Sequence, residues 1–288
     1  MKVRFLAFVF FLLSFSHCGI AKSEISKDYV IKAFTDANEK YLQAMKDIAA
    51  KNLQGADQKL KEAVLQYETI LAGGFVNGQI YYNLGNAYYR LGESGKAILN
   101  YRRAERLMPR NADLYANLKL VKSSVEDKEL SSETPATVRR IFFWFFLLNQ
   151  NELTLIAVSI YVILMVLLFL LITFRYARLK RVITGFSAVL FVMVVSLGIK
   201  VFLEQGVNRG VIISPKCEVR YGPGEEYEPK FEIHSGAECV IEDEKDDWYR
   251  VYVKVGVKQD IVSEAGAEEK VSKGVRRGWL QKRHVDVI

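Results

Sequence analysis

The chain has 288 residues, of which a quarter are charged, and its formal net charge is +7. This length allows two small domains and additional segments rather than one large core. Lys and Arg are dispersed instead of forming a patch with interleaved aromatic residues, which disfavours nucleic-acid binding. One dense basic cluster lies between two apolar runs and indicates membrane topology instead; it contains Arg175, Arg178, Lys180 and Arg181.

Residues 1–21 have the pattern of a secretory signal peptide. Lys2 and Arg4 precede a short apolar stretch, and Gly19 and Ala21 are small residues suited to cleavage before Lys22. A lipoprotein anchored through Cys18 and a retained, uncleaved anchor are the alternatives. Each of the three exports the region that follows.

Residues 22–128 are predicted to form an all-α domain of repeated helical hairpins. Small residues stand where two antiparallel helices would approach closely, larger ones fill the groove around that contact, and a proline ends the second helix. The residues concerned are Tyr81, Leu84, Gly85, Tyr88, Ala97, Tyr101, Ala104 and Pro109. Their type and spacing resemble the tetratricopeptide repeat signature, which implies a tetratricopeptide-type repeat domain.

One repeat cannot bury both of its faces, so neighbouring repeats are expected. Ala63 and Tyr67 reproduce the spacing of Ala97 and Tyr101 about one repeat upstream. Downstream, Tyr115 restarts the pattern, but Lys119 stands where glycine is expected, which indicates a capping helix. The sequence therefore predicts two repeats and a cap.

A polar stripe on the first helix of each repeat is the candidate partner-binding groove. Asn83, Asn86 and Arg90 are spaced at i, i+3 and i+7, and Asn117 is the counterpart of Asn83 one repeat later. Asn and Arg in such a groove can hold a peptide backbone or a terminal carboxylate. The alternative is an ordinary solvated helix face.

Two apolar runs, 153–174 and 182–202, are each long enough to cross a bilayer as a helix. A buried helical hairpin is the alternative, but no other segment could cover so much apolar surface. The basic segment 175–181 between the runs predicts a cytoplasmic loop, which places both flanks outside. In the preceding segment 129–152, the stretch from Ser131 to Pro135 is predicted to be a linker. The aromatic stretch that ends at Leu148 is predicted to be an in-plane interfacial helix.

Residues 207–288 have the alternating pattern of short β-strands separated by turns. Their order resembles the bacterial SH3-like barrel, with a polar insertion at about 256–275 in a hairpin. Cys217 and Cys239 both lie on inward-facing strand positions. They form either a disulfide, as an exported pair invites, or a pair of small apolar core residues.

The sequence contains no arrangement of residues typical of catalysis. The three histidines lack metal-ligand spacing, and there is no phosphate-binding glycine loop or nucleophile elbow. We therefore expect a protein without enzymatic activity, metal or cofactor. A channel is disfavoured because the two spans contain almost no polar residues.

The order of all these segments resembles the BatE-like membrane proteins of the Bacteroides aerotolerance (Bat) group, most closely from Tyr81 to Asn111. The resemblance implies a scaffold in the bacterial cytoplasmic membrane, with both soluble domains on the periplasmic side. It implies von Willebrand factor A-domain proteins as partners, together with a MoxR-type ATPase, and a role in aerotolerance or envelope stress. The alternative function is peptidoglycan sensing through the SH3-like domain.

Overall fold

A computed structural model describes most of the chain, namely residues 26–127, 134–174, 176–206, 208–261 and 268–288. The predicted signal peptide, Cys18 and Arg175 lie outside the described residues. In the described part, helices occupy the N-terminal two thirds, and an antiparallel sheet follows.

Five helices form the N-terminal helical domain: α1 (Lys27–Ala49), α2 (Leu53–Ala72), α3 (Gly78–Arg90), α4 (Ser94–Leu107) and α5 (Ala112–Ser124). The first four pack as two helical hairpins, and α5 packs against α4. The side chains of Asn77 and Asn111 cap the N-termini of α3 and α5 by accepting hydrogen bonds from the backbone amides of Gln79 and Leu114 respectively. Such caps satisfy amide groups that have no partner inside the helix.

The close approach of α3 and α4 depends on a glycine. A Cβ atom added to Gly85 would lie 2.7 Å from two ring carbons of Tyr101. The Tyr101 ring is completely buried, as are Ala97 and Ala104 on the same helix. Gly92 supplies the turn between the two helices with a φ of +79°, a conformation that favours glycine.

The aromatic segment forms two short helices, α6 (Ala136–Ile141) and α7 (Phe143–Leu147), instead of the single helix predicted from the sequence. Phe142 interrupts the helix with φ −102° and ψ 38°. The indole Nε1 of Trp144 donates to Ser196 Oγ at 3.2 Å, so α7 lies against the second of the two long helices that follow.

Two long apolar helices follow, α8 (Gln150–Phe174) and α9 (Ala177–Gln205). Both are long and apolar enough to cross a membrane. The prediction of a seven-residue loop between them was wrong, because Arg178, Lys180 and Arg181 lie in the first turns of α9. Ala, Leu, Lys and Arg are good helix formers, and no Gly or Pro stands there to stop the helix.

Seven strands form the C-terminal sheet: β1 (Arg209–Ile212), β2 (Lys216–Arg220), β3 (Pro229–His234), β4 (Glu238–Lys245), β5 (Trp248–Ile261), β6 (Glu268–Gln281) and β7 (Val285–Val287). Their order is β3-β2-β6-β5-β4-β1-β7, and neighbouring strands are antiparallel. The predicted polar insertion lies within the hairpin of β5 and β6, which stay paired from Trp248–Gln281 out to Ile261–Glu268.

Both cysteines lie in the apolar core of the sheet, and neither forms a disulfide. The Cys217 thiol faces the carbonyl oxygen of Ile233 at 3.6 Å. Burial raises the pKa of both thiols to about 12. The structure therefore agrees with the interpretation of Cys217 and Cys239 as small apolar core residues and not with a disulfide between them.

Candidate protein-binding groove

The helical domain contains a groove formed by α1 and α3. Its cavity has a volume of about 390 Å³ and is lined by Phe34, Asn38, Tyr41, Leu42, Gln79, Asn83 and Asn86. The lining therefore combines aromatic and aliphatic side chains with four amides. Such a mixture is typical of surfaces that accept a peptide, with apolar pockets for side chains and polar groups for the backbone.

Asn38 and Asn83 join the two helices across the floor of this groove. Asn83 Nδ2 donates to Asn38 Oδ1 at 2.8 Å, and Gln79 Nε2 donates to Asn83 Oδ1 at 2.9 Å. Asn38 Oδ1 also accepts a hydrogen bond from the hydroxyl of Tyr67 at 2.6 Å. The sequence prediction included Asn83 but missed Asn38, whose only signal was its place beside the small residue Ala37 on the first helix of a repeat.

Asn86 has the equivalent arrangement in the next repeat. Its Oδ1 accepts from the Tyr101 hydroxyl at 2.7 Å and from Asn117 Nδ2 at 2.9 Å. Asn117 Nδ2 also contacts the hydroxyl of Tyr82 at 3.1 Å. The predicted groove residues Asn86 and Asn117 are thus in contact, and they link α3 to α5.

Two buried tyrosines fix how these amides are oriented. Burial raises the pKa of Tyr67 and of Tyr101, so both hydroxyls remain protonated and act as donors. Each hydroxyl engages the oxygen of its asparagine, which directs the Nδ2 group of Asn38 and of Asn86 away from the tyrosine. Tyr67 and Tyr101 occupy equivalent positions in two successive repeats.

The two Nδ2 groups are available to a ligand. Within the described residues, neither Asn38 Nδ2 nor Asn86 Nδ2 donates to a protein acceptor. In the described part of the chain, the buried polar side-chain atoms that lack a hydrogen-bond partner are Gln66 Oε1 and Asn100 Oδ1. The two Nδ2 atoms are not among them, so they are not buried. Both amide groups therefore reach solvent in the groove and can donate to carbonyl or carboxylate oxygens.

Arg90 is the fourth predicted groove residue and lies at the C-terminal end of α3. Its side chain is exposed, and it does not line the cavity formed by Asn38 and Asn83. The structure therefore places Asn83 in one hydrogen-bonded network, with Asn38, and places Asn86 and Asn117 together in a second. Arg90 lies outside the lining of the cavity.

The opposite side of the helical domain is covered by the C-terminal sheet, a contact that the sequence did not predict. Arg102 on α4 binds both carboxylate oxygens of Glu238 on β4 at 3.0–3.1 Å, and Lys122 approaches the same carboxylate at 2.9 Å. Arg103 pairs with Asp286 at 3.0 Å, and the backbone amide of Gly95 donates to Ser235 Oγ at 3.0 Å. The groove is therefore the face of this domain that the sheet leaves open.

Comparison with known protein families supports the class of the helical domain. The family model described as Tetratricopeptide repeat matches residues 78–111, which include α3 and α4. The prediction of a tetratricopeptide repeat is thus confirmed, and domains of this class generally mediate protein interactions. Among curated proteins, the comparison found no match to the chain.

Proposed function

We propose that the protein is a non-enzymatic, membrane-anchored scaffold that captures a partner protein in the groove between α1 and α3. The observation that carries this proposal is the pair of outward-facing amide donors on Asn38 and Asn86, each oriented by a buried tyrosine hydroxyl. Amide donors of this kind suit the carbonyl groups of an extended peptide or a terminal carboxylate. Phe34, Tyr41 and Leu42 supply an apolar surface beside them for one anchoring side chain.

The double variant Asn38→Asp/Asn86→Asp tests the groove. An aspartate keeps the oxygen that accepts from the tyrosine but replaces the outward donor by an acceptor, so it repels peptide carbonyls with little change in shape. The control Asn77→Asp/Asn111→Asp adds the same charge at two helix N-termini, where an acidic cap is tolerated. Affinity capture from detergent-solubilised membranes should recover a defined partner with the wild type and the control only. Equal recovery of the partner with the wild type, the groove variant and the control would show that the groove does not bind the partner.

The placement of basic residues supports membrane insertion of α8 and α9. Arg178, Lys180 and Arg181 stand in the first turns of α9, where the helix dipole disfavours cations. Local helix stability therefore does not account for their position, whereas the positive-inside rule does. We infer a cytoplasmic turn, with the helical domain and the sheet on the outer side of a bacterial cytoplasmic membrane.

Labelling of single cysteines in intact cells tests this topology. Cysteines are introduced at Lys27 or at Lys180 in a background with alanine at Cys18, Cys217 and Cys239. A membrane-impermeant thiol reagent should label position 27 and spare position 180 until the cells are opened. Labelling of position 180 in intact cells, or labelling of position 27 only after lysis, would contradict the inferred topology.

We further propose that the sheet is an SH3-like barrel and that the partners are von Willebrand factor A-domain membrane proteins of a Bat/MoxR-type envelope complex. The segment order supports this assignment, as does the repeat that the family model matches. Purified complexes captured through the groove should contain such proteins. If a specific complex lacks such proteins, this assignment of partners is wrong, whereas the more general scaffold proposal stands.

Peptidoglycan binding is the second candidate function, and two exposed aromatic side chains on the sheet favour it. Tyr221 and Tyr227, in the turn between β2 and β3, are 63% and 43% exposed. Sedimentation of the detergent-solubilised protein with purified sacculi tests this function. Co-sedimentation that is lost when both tyrosines are replaced by serine would support it, and failure of the wild type to co-sediment would exclude it.

A further inference from the structure

A second cleft lies where four parts of the protein meet: the end of α4, the aromatic helices α6 and α7, the end of α9 and the sheet. Its volume is about 330 Å³, and its lining includes five cationic side chains and three acidic ones. The cations are Arg102, Arg106, Arg139, Lys200 and Arg209; the acids are Glu105, Glu204 and Glu238. The groove between α1 and α3 shares none of these residues.

Two of the five cations are already engaged. Arg102 binds Glu105 at 2.7 Å and Glu238 at 3.0 Å. Lys200 donates to the carbonyl oxygens of Phe145 and Leu148 and so caps the C-terminal end of α7. These contacts account for two of the three acids and leave Arg106, Arg139 and Arg209 with Glu204 as the remaining acid.

The remaining three arginines are poorly neutralised. Among the described residues, Arg106 donates to one acceptor, the main-chain oxygen of Ile288 at 3.0 Å, which also lines the cleft. Burial lowers the pKa of Arg106, Glu204 acts in the opposite direction, and the nearby cations Arg209 and Arg103 lower it further. Arg139 and Arg209 are exposed, and within the described part of the chain their guanidinium groups make no hydrogen bond or ion pair. An anion in the cleft would relieve this repulsion.

Apolar side chains complete the lining on the side that faces the two long helices. Phe145, Phe146 and Leu203 lie beside the three arginines, and Leu203 is 38% exposed. The start of α8 and the end of α9 lie at this same end of the helical hairpin. If the hairpin crosses a bilayer, the arginines lie at the depth of the headgroups and the aromatic rings at the boundary with the acyl chains.

From this arrangement we propose that the cleft binds the phosphodiester of an anionic phospholipid, with Arg106, Arg139 and Arg209 holding the phosphate and Phe145, Phe146 and Leu203 contacting the lipid beneath it. Arginine is well suited to phosphate because its planar guanidinium donates two parallel hydrogen bonds. The proposal rests on membrane insertion of α8 and α9, but not on partner capture in the groove.

Native mass spectrometry of the full-length protein, released from nanodiscs of phosphatidylcholine with a minor fraction of phosphatidylglycerol, tests this site. The wild type should retain phosphatidylglycerol in excess of its share of the bilayer. Arg139→Gln/Arg209→Gln should weaken retention by about fivefold for each arginine removed. Arg140→Gln/Arg283→Gln removes two exposed arginines outside the cleft, one of them adjacent to Arg139 on α6, and should retain the lipid as the wild type does.

Three results would overturn the proposal. The first is a wild type that shows no enrichment, and the second is an equal loss in the cleft variant and its control. The third is displacement of the retained lipid by millimolar inorganic phosphate, which would make the cleft a site for free phosphate. A protein that fails to enter nanodiscs at all would instead refute the proposed membrane insertion, so the two failures are distinguishable.

Discussion

Arg102 and Glu238 form a two-pronged ion pair that joins the tetratricopeptide repeat to the C-terminal sheet, with three N–O distances of 3.0–3.1 Å. The pair is largely shielded from solvent, since the side chains are 26% and 13% exposed. Lys122 and Glu105 extend it into a small charge network that links α4, α5 and β4. The two soluble parts of the protein are therefore in direct contact through a defined set of residues.

Removing one member of this pair should weaken the contact strongly. Glu238→Ala leaves Arg102 partly buried without its main carboxylate, and we expect a loss of about 3 kcal/mol in the free energy of unfolding. Glu242→Ala breaks the more exposed pair with Arg277 and should cost less than about 1 kcal/mol. Chemical unfolding of the detergent-solubilised variants measures both. Similar losses for the two substitutions would contradict a special role for Glu238.

The same carboxylate makes the contact sensitive to acid. Burial alone would raise the pKa of Glu238, but Arg102 and Lys122 outweigh burial and hold it below 4.5. A carboxyl whose pKa is lower in the folded state stabilises the fold above its unfolded pKa, and this contribution is lost as the pH falls through the folded value. We therefore expect α4 and β4 to lose protection from hydrogen exchange, corrected for the intrinsic rate, as the pH falls below 4.5. Glu238→Gln should reduce the protection of α4 and β4 at neutral pH and make it less dependent on pH. A pH profile that is the same in the variant and the wild type would contradict the role of Glu238.

Gly85 should not tolerate even a methyl group. Gly85→Ala improves helix propensity, but its Cβ would lie 2.7 Å from the buried ring of Tyr101, and we expect a net loss of about 1–3 kcal/mol. Gly185→Ala is the matched control, because a Cβ there has no neighbour within 4 Å. Hydrogen exchange in α3 and α4 should increase only in the first variant. Unchanged exchange would mean that the ring moves aside at little cost.

The two cysteines should be unreactive in the folded protein and free in the unfolded one. Cys217 and Cys239 are buried, and burial raises the pKa of both thiols to about 12, so almost no thiolate forms near neutral pH. Peptide mass spectrometry after alkylation without reductant should show both residues unmodified before denaturation and both modified after it. A peptide pair that remains linked after denaturation would demonstrate a disulfide.

Local patterns in the sequence predict the helical part of this fold well. The spacing of Gly85, Ala97 and Tyr101 encodes a contact between two neighbouring helices, so it is readable within one repeat. The two long apolar helices are predicted by length and hydropathy alone, because backbone polar groups in a membrane must be satisfied within each segment. The break at Phe142 and the helical start of α9 were missed, since boundaries depend on the contacts of a few residues.

Features that depend on distant contacts were not predictable in this way. Strand β7 has three residues, and it exists because Val285–Val287 pairs with β1, more than seventy residues earlier in the chain. Arg102 and Glu238 are separated by 136 residues, and neither belongs to a motif. Asn38 was overlooked for the same reason, because only the folded structure places it against Asn83 and Tyr67.

Photo-crosslinking in living cells tests the proposed scaffold most directly. A photoreactive benzoylphenylalanine replaces Leu42, which lines the groove and is 59% exposed, or Leu120, which is 53% exposed on α5 and does not line it. We predict a discrete crosslinked partner from position 42 only. That crosslink should disappear when Asn38→Asp/Asn86→Asp is added and persist with Asn77→Asp/Asn111→Asp. Equal crosslinking from positions 42 and 120, or a crosslink at 42 that survives the groove substitutions, would contradict the account.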